Sequence, residues 1–353
     1  MKIAPIIHEL VNYPDFSYKL IHTGQHYDAA MSENFFEALR IPEPDINFQI
    51  SWGSNLHQIS RLLVAFEEYF QKESFDMVIV VGDVNATMAA TIAAQNFSIP
   101  VAHVEAWLRS KDITMPEERN RIVIDSLSTL FFVSEPSWIT NLKTEWKEKH
   151  VYYVGNVMID CLMYQLPRIQ ESNILEQKYA LTWPYCLATI HRPSNVDTKD
   201  RLQEIIHVFN KIAEKLTVIM PLHPRTHSRI KEFGLLDQLT MNKNIILDGP
   251  LWYDDFIHLL MKSTVVITDS GGIQEESTFL KVPCLTLREN TERPITHELW
   301  TNTLIWNNET VLLSYIDQIL AWTYKKWDIP EKWDGNAAKR ILDSIHRELI
   351  SWK

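Results

Sequence analysis

Short apolar runs alternate with longer amphipathic segments along the whole chain. Runs such as Met77–Val81 and Val265–Thr268 are apolar without alternation, which is typical of parallel strands covered on both faces. Between the runs, segments such as Leu56–Phe70 and Lys199–Leu216 place apolar residues at helical spacing. This pattern predicts an α/β fold of two doubly wound, Rossmann-like parallel sheets. The predicted strands are Met77–Val81, Val101–Val104, Thr129–Val133, Val151–Val154, Tyr185–Thr189, Thr217–Met220, Ile245–Leu247, Val265–Thr268 and Pro283–Leu287.

The length predicts two domains, because 353 residues exceed what one hydrophobic core usually accommodates. The boundary is expected within Met163–Tyr179, where Pro167 and a polar stretch precede a fresh strand. We therefore expect a first domain over residues 1–165 and a second over 166–335. A last helix, Asn336–Ile350, could pack on either domain.

Charge and composition exclude several classes of protein. There are 34 basic and 45 acidic residues, a net charge of −11, so we expect neither nucleic acid nor an anionic membrane as a partner. Three cysteines suit neither a disulfide framework nor a zinc site. The absence of a signal peptide and of an apolar run of ~18 residues predicts a cytoplasmic protein. The 9 glycines form no Gly-x-Gly-x-x-Gly motif, which disfavours a nicotinamide dinucleotide fold.

Polar side chains follow the predicted strands, where ligands bind in open parallel sheets. Asp83 follows one strand and Glu105 the next. We expect such groups to face a cleft between the two domains. The other charged or imidazole groups at strand ends are His103, Arg109, His191, Arg192, His223, Arg225 and Asp269.

Each of these groups also has a purely structural interpretation. Asp83 could cap the helix Asn85–Gln95, and His191 and His223 could be buried histidines with satisfied hydrogen bonds. His103 and Glu105 have the spacing of a metal pair on a strand, but no third ligand is evident, so we predict no metal site.

The turn from Asp269 through Ser270, Gly271 and Gly272 opens a helix and is more informative. Backbone N–H groups at a helix N-terminus bind anions, and glycine lets a phosphate approach closely. Glu276, one turn further on, could accept a hydrogen bond from a ribose hydroxyl. The turn therefore predicts a nucleoside diphosphate held by the second domain through residues that include Gly271.

Eight motifs together resemble, in the same order, those of the non-hydrolysing UDP-N-acetylglucosamine 2-epimerase family. DSGGIQEE with a following TERP is highly specific, and VEAxLRS followed by PEExNR is nearly so. The resemblance covers nearly the whole chain. The motifs are Thr23–Tyr27, Gly82-Asp83, Val104–Arg109, Pro116–Arg121, Gly155–Asp160, Ile190–Arg192, Asp269–Glu276 and Thr291–Pro294.

The resemblance implies a two-domain fold of the glycosyltransferase-B type, in which the helix of residues 336–353 returns to the first domain. It also implies a homodimer, a UDP-sugar substrate, and no metal or other cofactor. The implied catalytic group is Asp83, Glu105, Glu117 and His191. The implied substrate-binding residues are Lys2, Gln25, Ser270, Gly272, Glu276 and Arg293. Some bacterial members bind a second, activating substrate molecule at positions that match Gln25, Arg192 and His223.

The implied reaction interconverts UDP-N-acetylglucosamine and UDP-N-acetylmannosamine, which would supply surface polysaccharide. Loss of the C2 proton with departure of UDP would give a glycal, and the reverse steps on the other face would give the epimer. Neighbouring carboxylates in a dry cleft would have raised pKa values suited to this exchange. The sequence does not say which carboxylate is the base; His191 and Arg293 are candidates for stabilising the departing diphosphate.

Three other functions stay open. A hydrolysing relative would release free N-acetylmannosamine, a retired homologue would bind UDP-sugar without turnover, and a glycosyltransferase would share the fold. The PEExNR and DSGGIQEE motifs disfavour the last.

Two departures from the family pattern change the expectations. Trp107 stands where the pattern has glycine, a residue that would fit either a close backbone approach or a positive φ. We expect its ring to shrink the sugar pocket, to shift Glu105 or to abolish activity. The family's first apolar strand and Gly-Thr-Arg-Pro-Glu turn have no counterpart ahead of Lys2. We therefore expect Met1 to correspond to an internal position of a longer ancestor and the central strand position of the first sheet to be vacant.

Overall fold

The computed structural model describes residues 1–353 except 25–35, 38, 51–52, 137, 139–149, 172–173, 180–183, 299–301, 307, 326–327 and 353. The chain divides into two compact units. The first unit comprises residues 1–164 and 331–353, and the second comprises residues 165–330.

The first unit contains one sheet of four parallel strands and a separate pair of parallel strands. The four-stranded sheet has the order β3-β4-β5-β6, and the pair is β1-β2. The strands are β1 (Ile21–His22), β2 (Ile46–Asn47), β3 (Val78–Val81), β4 (Val101–Val104), β5 (Leu130–Val133) and β6 (Val151–Tyr153). The helices are α1 (Ala4–Glu9), α2 (Asn55–Phe70), α3 (Asn85–Asn96), α4 (Pro116–Leu127), α5 (Val157–Glu171), in which the unit boundary falls, and α15 (Ala337–Ser351).

Two hydrophobic clusters make up most of the core of the first unit. In one, Ile341, Leu342 and Ile345 of α15 pack with residues of β4 and β5. In the other, Leu62 and Phe66 of α2 pack with alanines of α3 and with Val80 and Val101. The last helix of the chain is therefore part of the core of the first unit.

The second unit contains a single sheet of six parallel strands in the order β12-β11-β10-β7-β8-β9. The strands are β7 (Tyr185–Thr189), β8 (Thr217–Pro221), β9 (Ile245–Asp248), β10 (Val265–Thr268), β11 (Cys284–Thr286) and β12 (Asn302–Leu304). The helices are α6 (Ile174–Tyr179), α7 (Pro193–Val196), α8 (Lys199–Ile212), α9 (Pro224–Glu232), α10 (Leu236–Thr240), α11 (Tyr253–Lys262), α12 (Gly271–Leu280), α13 (Pro294–Glu298) and α14 (Glu309–Leu320).

Strand order reverses between β7 and β10, which pair directly, with Thr189 opposite Thr268. Such a reversal leaves room at the carboxyl ends of the two strands, which is where doubly wound sheets bind ligands. On one face of this sheet α8 buries Leu202, Ile205, Ile206 and Phe209, the helical spacing expected from the sequence.

The predicted α/β class with parallel sheets is confirmed, and all nine predicted strands are present within one or two residues at each end. Strands β1, β2 and β12 were not predicted, because two or three residues are too short to show a period. No helix in the described part of the chain is long and apolar enough to span a membrane.

Candidate active site

The carboxyl ends of β3 and β4 bring Asp83 and Glu105 to the same edge of the first sheet. Val81 lies opposite Val104, and the Gly82 N–H donates to the Val104 carbonyl oxygen at 3.0 Å. Glu105 Oε2 lies 2.6 Å from Lys2 Nζ, and Glu105 is buried. Gly82 has a φ of +73°, and a Cβ on it would lie 3.3 Å from Lys2 Nζ. Because glycine has no side chain, the lysine can lie this close to the backbone. Three of the predicted site residues are thus held together: Lys2, Asp83 and Glu105.

Helix α4 supplies the residues that hold Asp83. The Arg121 Nε donates to Asp83 Oδ2 at 2.8 Å, and the Asn120 Nδ2 donates to the Asp83 carbonyl oxygen at 2.9 Å. Arg121 is itself fixed by buried Glu118 at 2.5 Å. A buried guanidinium bonded to two carboxylates fixes the orientation of both.

Glu117 and Glu118 differ in burial, although both lie in the first turn of one helix. Pro116 starts α4, so both acids lie in its first turn. Glu118 is buried and accepts from Ser110 N, Ser110 Oγ and Lys111 N at 2.9–3.1 Å. Glu117 is exposed, and the structure does not place it in the cluster around Asp83 and Glu105.

Trp107 has a left-handed backbone, one of the two alternatives that the glycine of the family pattern left open, and its ring is buried. Its φ is +67°, the left-handed region that glycine enters freely. The side chain is 2% exposed and packs in a cluster with Phe131, Val133 and Trp138. The ring thus forms part of the core of the first unit, and its effect on the sugar pocket stays a prediction.

In the second unit, buried Asp269 at the end of β10 organises the loop that follows β7. Its carboxylate accepts from the backbone N–H groups of His191 and Arg192 and from Asn195 Nδ2, all at 2.9–3.1 Å. His191 Nδ1 lies 2.9 Å from Asp269 Oδ1. Burial raises the pKa of Asp269, but the hydrogen bonds and charge of its partners, led by His191, hold it below its usual range. Asp269 is thus an ionised anchor that orients the His191 ring.

His223 lies beside His191, with 5.2 Å between the ring centroids. Burial, with a contribution from His191, lowers the pKa of His223 below its usual value. Its Nδ1 accepts from the Arg225 N–H and so caps α9. His223 therefore has the structural role that the sequence left open, and it also borders His191.

The N-terminus of α12 lies among charged side chains. Ser270 is the N-cap, and Gly271 and Gly272 begin the helix. A Cβ on Gly271 would lie 2.7 Å from Glu292 Oε1, so glycine is required for this approach. Arg288 contacts the Glu292 carboxylate at 2.6 Å and Arg192 contacts it at 3.3 Å. Burial opposes ionisation of Glu292, yet Arg288, Arg293 and Arg192 lower its pKa to about 2.

Arg293 and Glu276, two further predicted site residues, lie close to Glu292 and to the start of α12 in the sequence. Arg293 Nε lies 2.7 Å from Glu275 Oε1, and both side chains are buried. Glu276 is also buried, and burial raises its pKa to about 8, although a hydrogen bond from Tyr253 lowers it. A carboxyl with this pKa can both donate and accept near neutral pH. Gln25 lies outside the described residues.

Nothing in the described part of the chain groups three or more His, Cys, Asp or Glu side chains in a way that could hold a metal ion. The site residues are instead carboxylates, guanidiniums, imidazoles and a helix N-terminus.

Comparison with known proteins identifies the family. The family model for UDP-N-acetylglucosamine 2-epimerase matches residues 8–346. The UDP-N-acetylglucosamine 2-epimerase of Methanocaldococcus jannaschii is 38% identical over 349 residues, which cover 97% of this chain and 94% of that protein. The chain belongs to the UDP-N-acetylglucosamine 2-epimerase family.

One solved structure and one further relative extend this comparison. The crystal structure of the M. jannaschii enzyme with UDP-GlcNAc and UDP matches this chain with a TM-score of 0.88 at 37% identity. The match covers 98% of this chain and 96% of the M. jannaschii chain. The fold is therefore of the glycosyltransferase-B type. A UDP-2,3-diacetamido-2,3-dideoxy-D-glucuronate 2-epimerase of Pseudomonas aeruginosa is 37% identical over 83% of this chain and 81% of that protein.

The epimerase site includes residues that the sequence interpretation missed. Glu118, Asn120, Arg121 and Asp125 lie on α4, and their role depends on which helix face meets the ends of β3 and β4. PEExNR contains three of them, so the motif itself was the available signal. Arg288 and Glu292 had no comparable signal for their pairing with one another and with Arg192.

Proposed function

We propose that this chain interconverts UDP-N-acetylglucosamine and UDP-N-acetylmannosamine. A carboxylate removes the C2 proton as the C1–O bond breaks and its electron pair leaves with UDP, which gives a glycal. A proton is then delivered to C2 on the other face, while a diphosphate oxygen of UDP re-forms the bond to C1. The proposal is carried by the placement of Asp83 and Glu105 at the ends of neighbouring strands, each held by a cation.

We assign proton transfer to the first unit. Asp83 and Glu105 are the proposed acid and base, with Glu117 as a third candidate from its motif position. Lys2 and Arg121 keep the two buried or half-buried carboxylates oriented, and a positioned acid or base typically contributes about 10²–10⁴-fold to a rate. Because Glu117 is exposed in this structure, its participation requires a substrate that covers it.

We assign the uridine diphosphate to the second unit. The N-terminus of α12 at Ser270, Gly271 and Gly272 offers N–H donors to phosphate oxygens. Arg192 and Arg293 supply positive charge and His191 a ring donor for the departing diphosphate. Glu276, with a pKa of about 8, is suited to bond a ribose hydroxyl. His223 and Arg192 also remain the proposed contacts of an activating second substrate molecule.

The wider context is part of the same proposal. We expect a homodimer, which the motif resemblance implies. We also propose that the enzyme acts in the cytoplasm, where UDP-sugars are made, and supplies a precursor of surface polysaccharide.

Solvent exchange provides the test. Purified protein incubated with UDP-N-acetylglucosamine in deuterated water should yield UDP-N-acetylmannosamine with deuterium at C2 in both sugars. Free N-acetylmannosamine and UDP would instead indicate the hydrolysing reaction, and binding without exchange would indicate a homologue without turnover. Exchange only with a 2,3-diacetamido-glucuronate substrate would assign the substrate class of the Pseudomonas relative.

A further inference from the structure

Buried Asp125 joins the two loops that carry the proposed acid and base. Its Oδ1 lies 2.7 Å from His103 Nδ1, and its Oδ2 lies 2.6 Å from Arg109 Nη1 and accepts from the Trp107 N–H at 3.2 Å. One carboxylate therefore contacts residues on both sides of Glu105 in the sequence.

The same network reaches the loop of Asp83 through His103. The His103 ring is fully buried, and its Nε2 lies 3.0 Å from the Gly82 carbonyl oxygen. A carbonyl oxygen can only accept, so Nε2 carries a hydrogen. The His103 ring thus connects Gly82, the residue before Asp83, to the Asp125 carboxylate. Asp125 in turn holds Trp107, which follows Glu105.

The segment around Glu105 needs such support because its backbone is unusual. Glu105 has a φ of +65° and Trp107 a φ of +67°. A left-handed conformation is unfavourable for a residue with a side chain, and it persists only where the surroundings of that residue fix it. The bond from the Trp107 N–H to Asp125 is one of the contacts that fix this conformation.

We infer that Asp125 is a positioning residue, which acts through His103 and Trp107 to hold Asp83 and Glu105 at the separation that proton transfer at C2 requires. This inference rests on the proposed function. It assigns Asp125 no contact with the substrate, so its loss should impair proton transfer and leave the binding of UDP by the second unit intact.

The test is Asp125→Asn, which keeps the shape of the side chain and removes its charge. Misplacement of reacting groups by about 1 Å can cost about 100-fold in rate. We expect kcat for C2 deuterium exchange to fall about 10–100-fold, while KM and the Kd for UDP change less than about threefold. The limbs of the pH–rate profile should stay in place, because Asp125 does not exchange the proton.

Asp343→Asn is the matched control, because Asp343 lies in the same unit, on α15. Its carboxylate accepts from Tyr13 and from Lys339 of the same helix. It should keep the wild-type kcat. His103→Gln, which keeps a polar side chain beside Gly82, is the second variant and should show the same split between kcat and KM.

Each outcome has a defined meaning. Wild-type kcat in folded Asp125→Asn or His103→Gln would overturn the inference. Failure of both variants to fold, or an equal loss of UDP binding, would also overturn it, because the network would then be merely structural. A wild-type protein without C2 exchange would instead refute the proposed function.

Discussion

In the second unit, the strands that lead to His191 and Asp269 have partners on both sides. In the first unit, β3 leads to Asp83 and pairs only with β4 among the described strands. The four residues of β10 are fully buried, whereas only one residue of β3 is. The two strands have almost the same composition, VVIT and VIVV. Burial here depends on the neighbouring strands and not on the apolar run itself.

The two units accordingly fix their loops by different means. Paired strands β7 and β10 set the positions of His191 and Asp269 directly, and Asp269 then bonds the backbone of the β7 loop. The loop after β3 depends more on side chains: Arg121, His103 and the contact of Lys2 with Gly82. We therefore expect the first unit to be more sensitive to single substitutions at its site.

Amide hydrogen exchange tests the comparison most strongly. Val78 and Gly82 donate toward β4, so Ile79 and Val81 direct their N–H groups to the other edge. These two amides should exchange about 1,000-fold faster than those of Val266 and Ile267 in β10. The Gly82 amide is the internal control. Equal protection in β3 and β10, measured residue by residue, would mean that this edge is covered in solution.

The pH dependence of stability should be dominated by a group in the second unit. Glu276 keeps its proton up to a pH of about 8 when folded, while the unfolded chain releases it near 4.5. Stability therefore falls as pH rises between these values, by about 4 kcal/mol.

Glu276→Gln removes this dependence, so it should match the wild type at pH 5 and be the more stable protein at pH 8. Denaturant unfolding at the two pH values measures the free energy of unfolding of each protein. Glu204→Gln, a change at an exposed position, is the control. A wild-type stability that does not fall between pH 5 and 8 would contradict the buried protonated state.

Asp83→Asn should separate chemistry from binding. We expect kcat to fall about 100-fold, as for loss of a proton-transfer group, and the Kd for UDP to stay near the wild-type value. Asp112→Asn, which changes a half-buried side chain that accepts from Thr114, should have little effect on kcat. Unchanged kcat in the Asp83 variant would refute the assignment of proton transfer to the first unit.

Two tryptophans at positive φ distinguish strain from burial. Trp107→Gly relieves about 1–2 kcal/mol of backbone strain but loses a buried ring worth about 3–5 kcal/mol. We expect a net loss of about 2 kcal/mol and no gain in activity. Trp322 has a φ of +57° and is 81% exposed, so Trp322→Gly should be neutral or slightly stabilising. Higher activity in the Trp107 variant would show that the ring obstructs the substrate after all.

Sequence reasoning succeeded where the determinants are local. The strands Val101–Val104, Tyr185–Thr189 and Val265–Thr268 were predicted to the residue, because each is a short and mostly apolar run. The adjacency of Asp83 and Glu105 followed from the parallel register of their strands. The glycine of the family pattern left a close backbone approach or a positive φ open at Trp107, and the structure has the positive φ.

It failed where the determinants are distant. Asp125 contacts His103 across 22 positions, and Arg192 contacts Glu292 across 100. Neither pairing can be predicted from the spacing of residues along the chain. The direction of the Trp107 ring depends on space beside Phe131, and the choice between Glu117 and Glu118 as the buried acid depends on the rotation of α4.

Glu292 gives the second unit a counter-ion of its own. With its carboxylate against Gly271 and bonded to Arg288 and Arg192, the helix N-terminus and two guanidiniums are neutralised before any ligand arrives. A diphosphate that binds here therefore replaces the Glu292 carboxylate. The binding free energy gains only the difference between the attraction of the site for the diphosphate and its attraction for that carboxylate. Such a site discriminates between anions by shape and charge number, and a simple monovalent ion gains little by entering it.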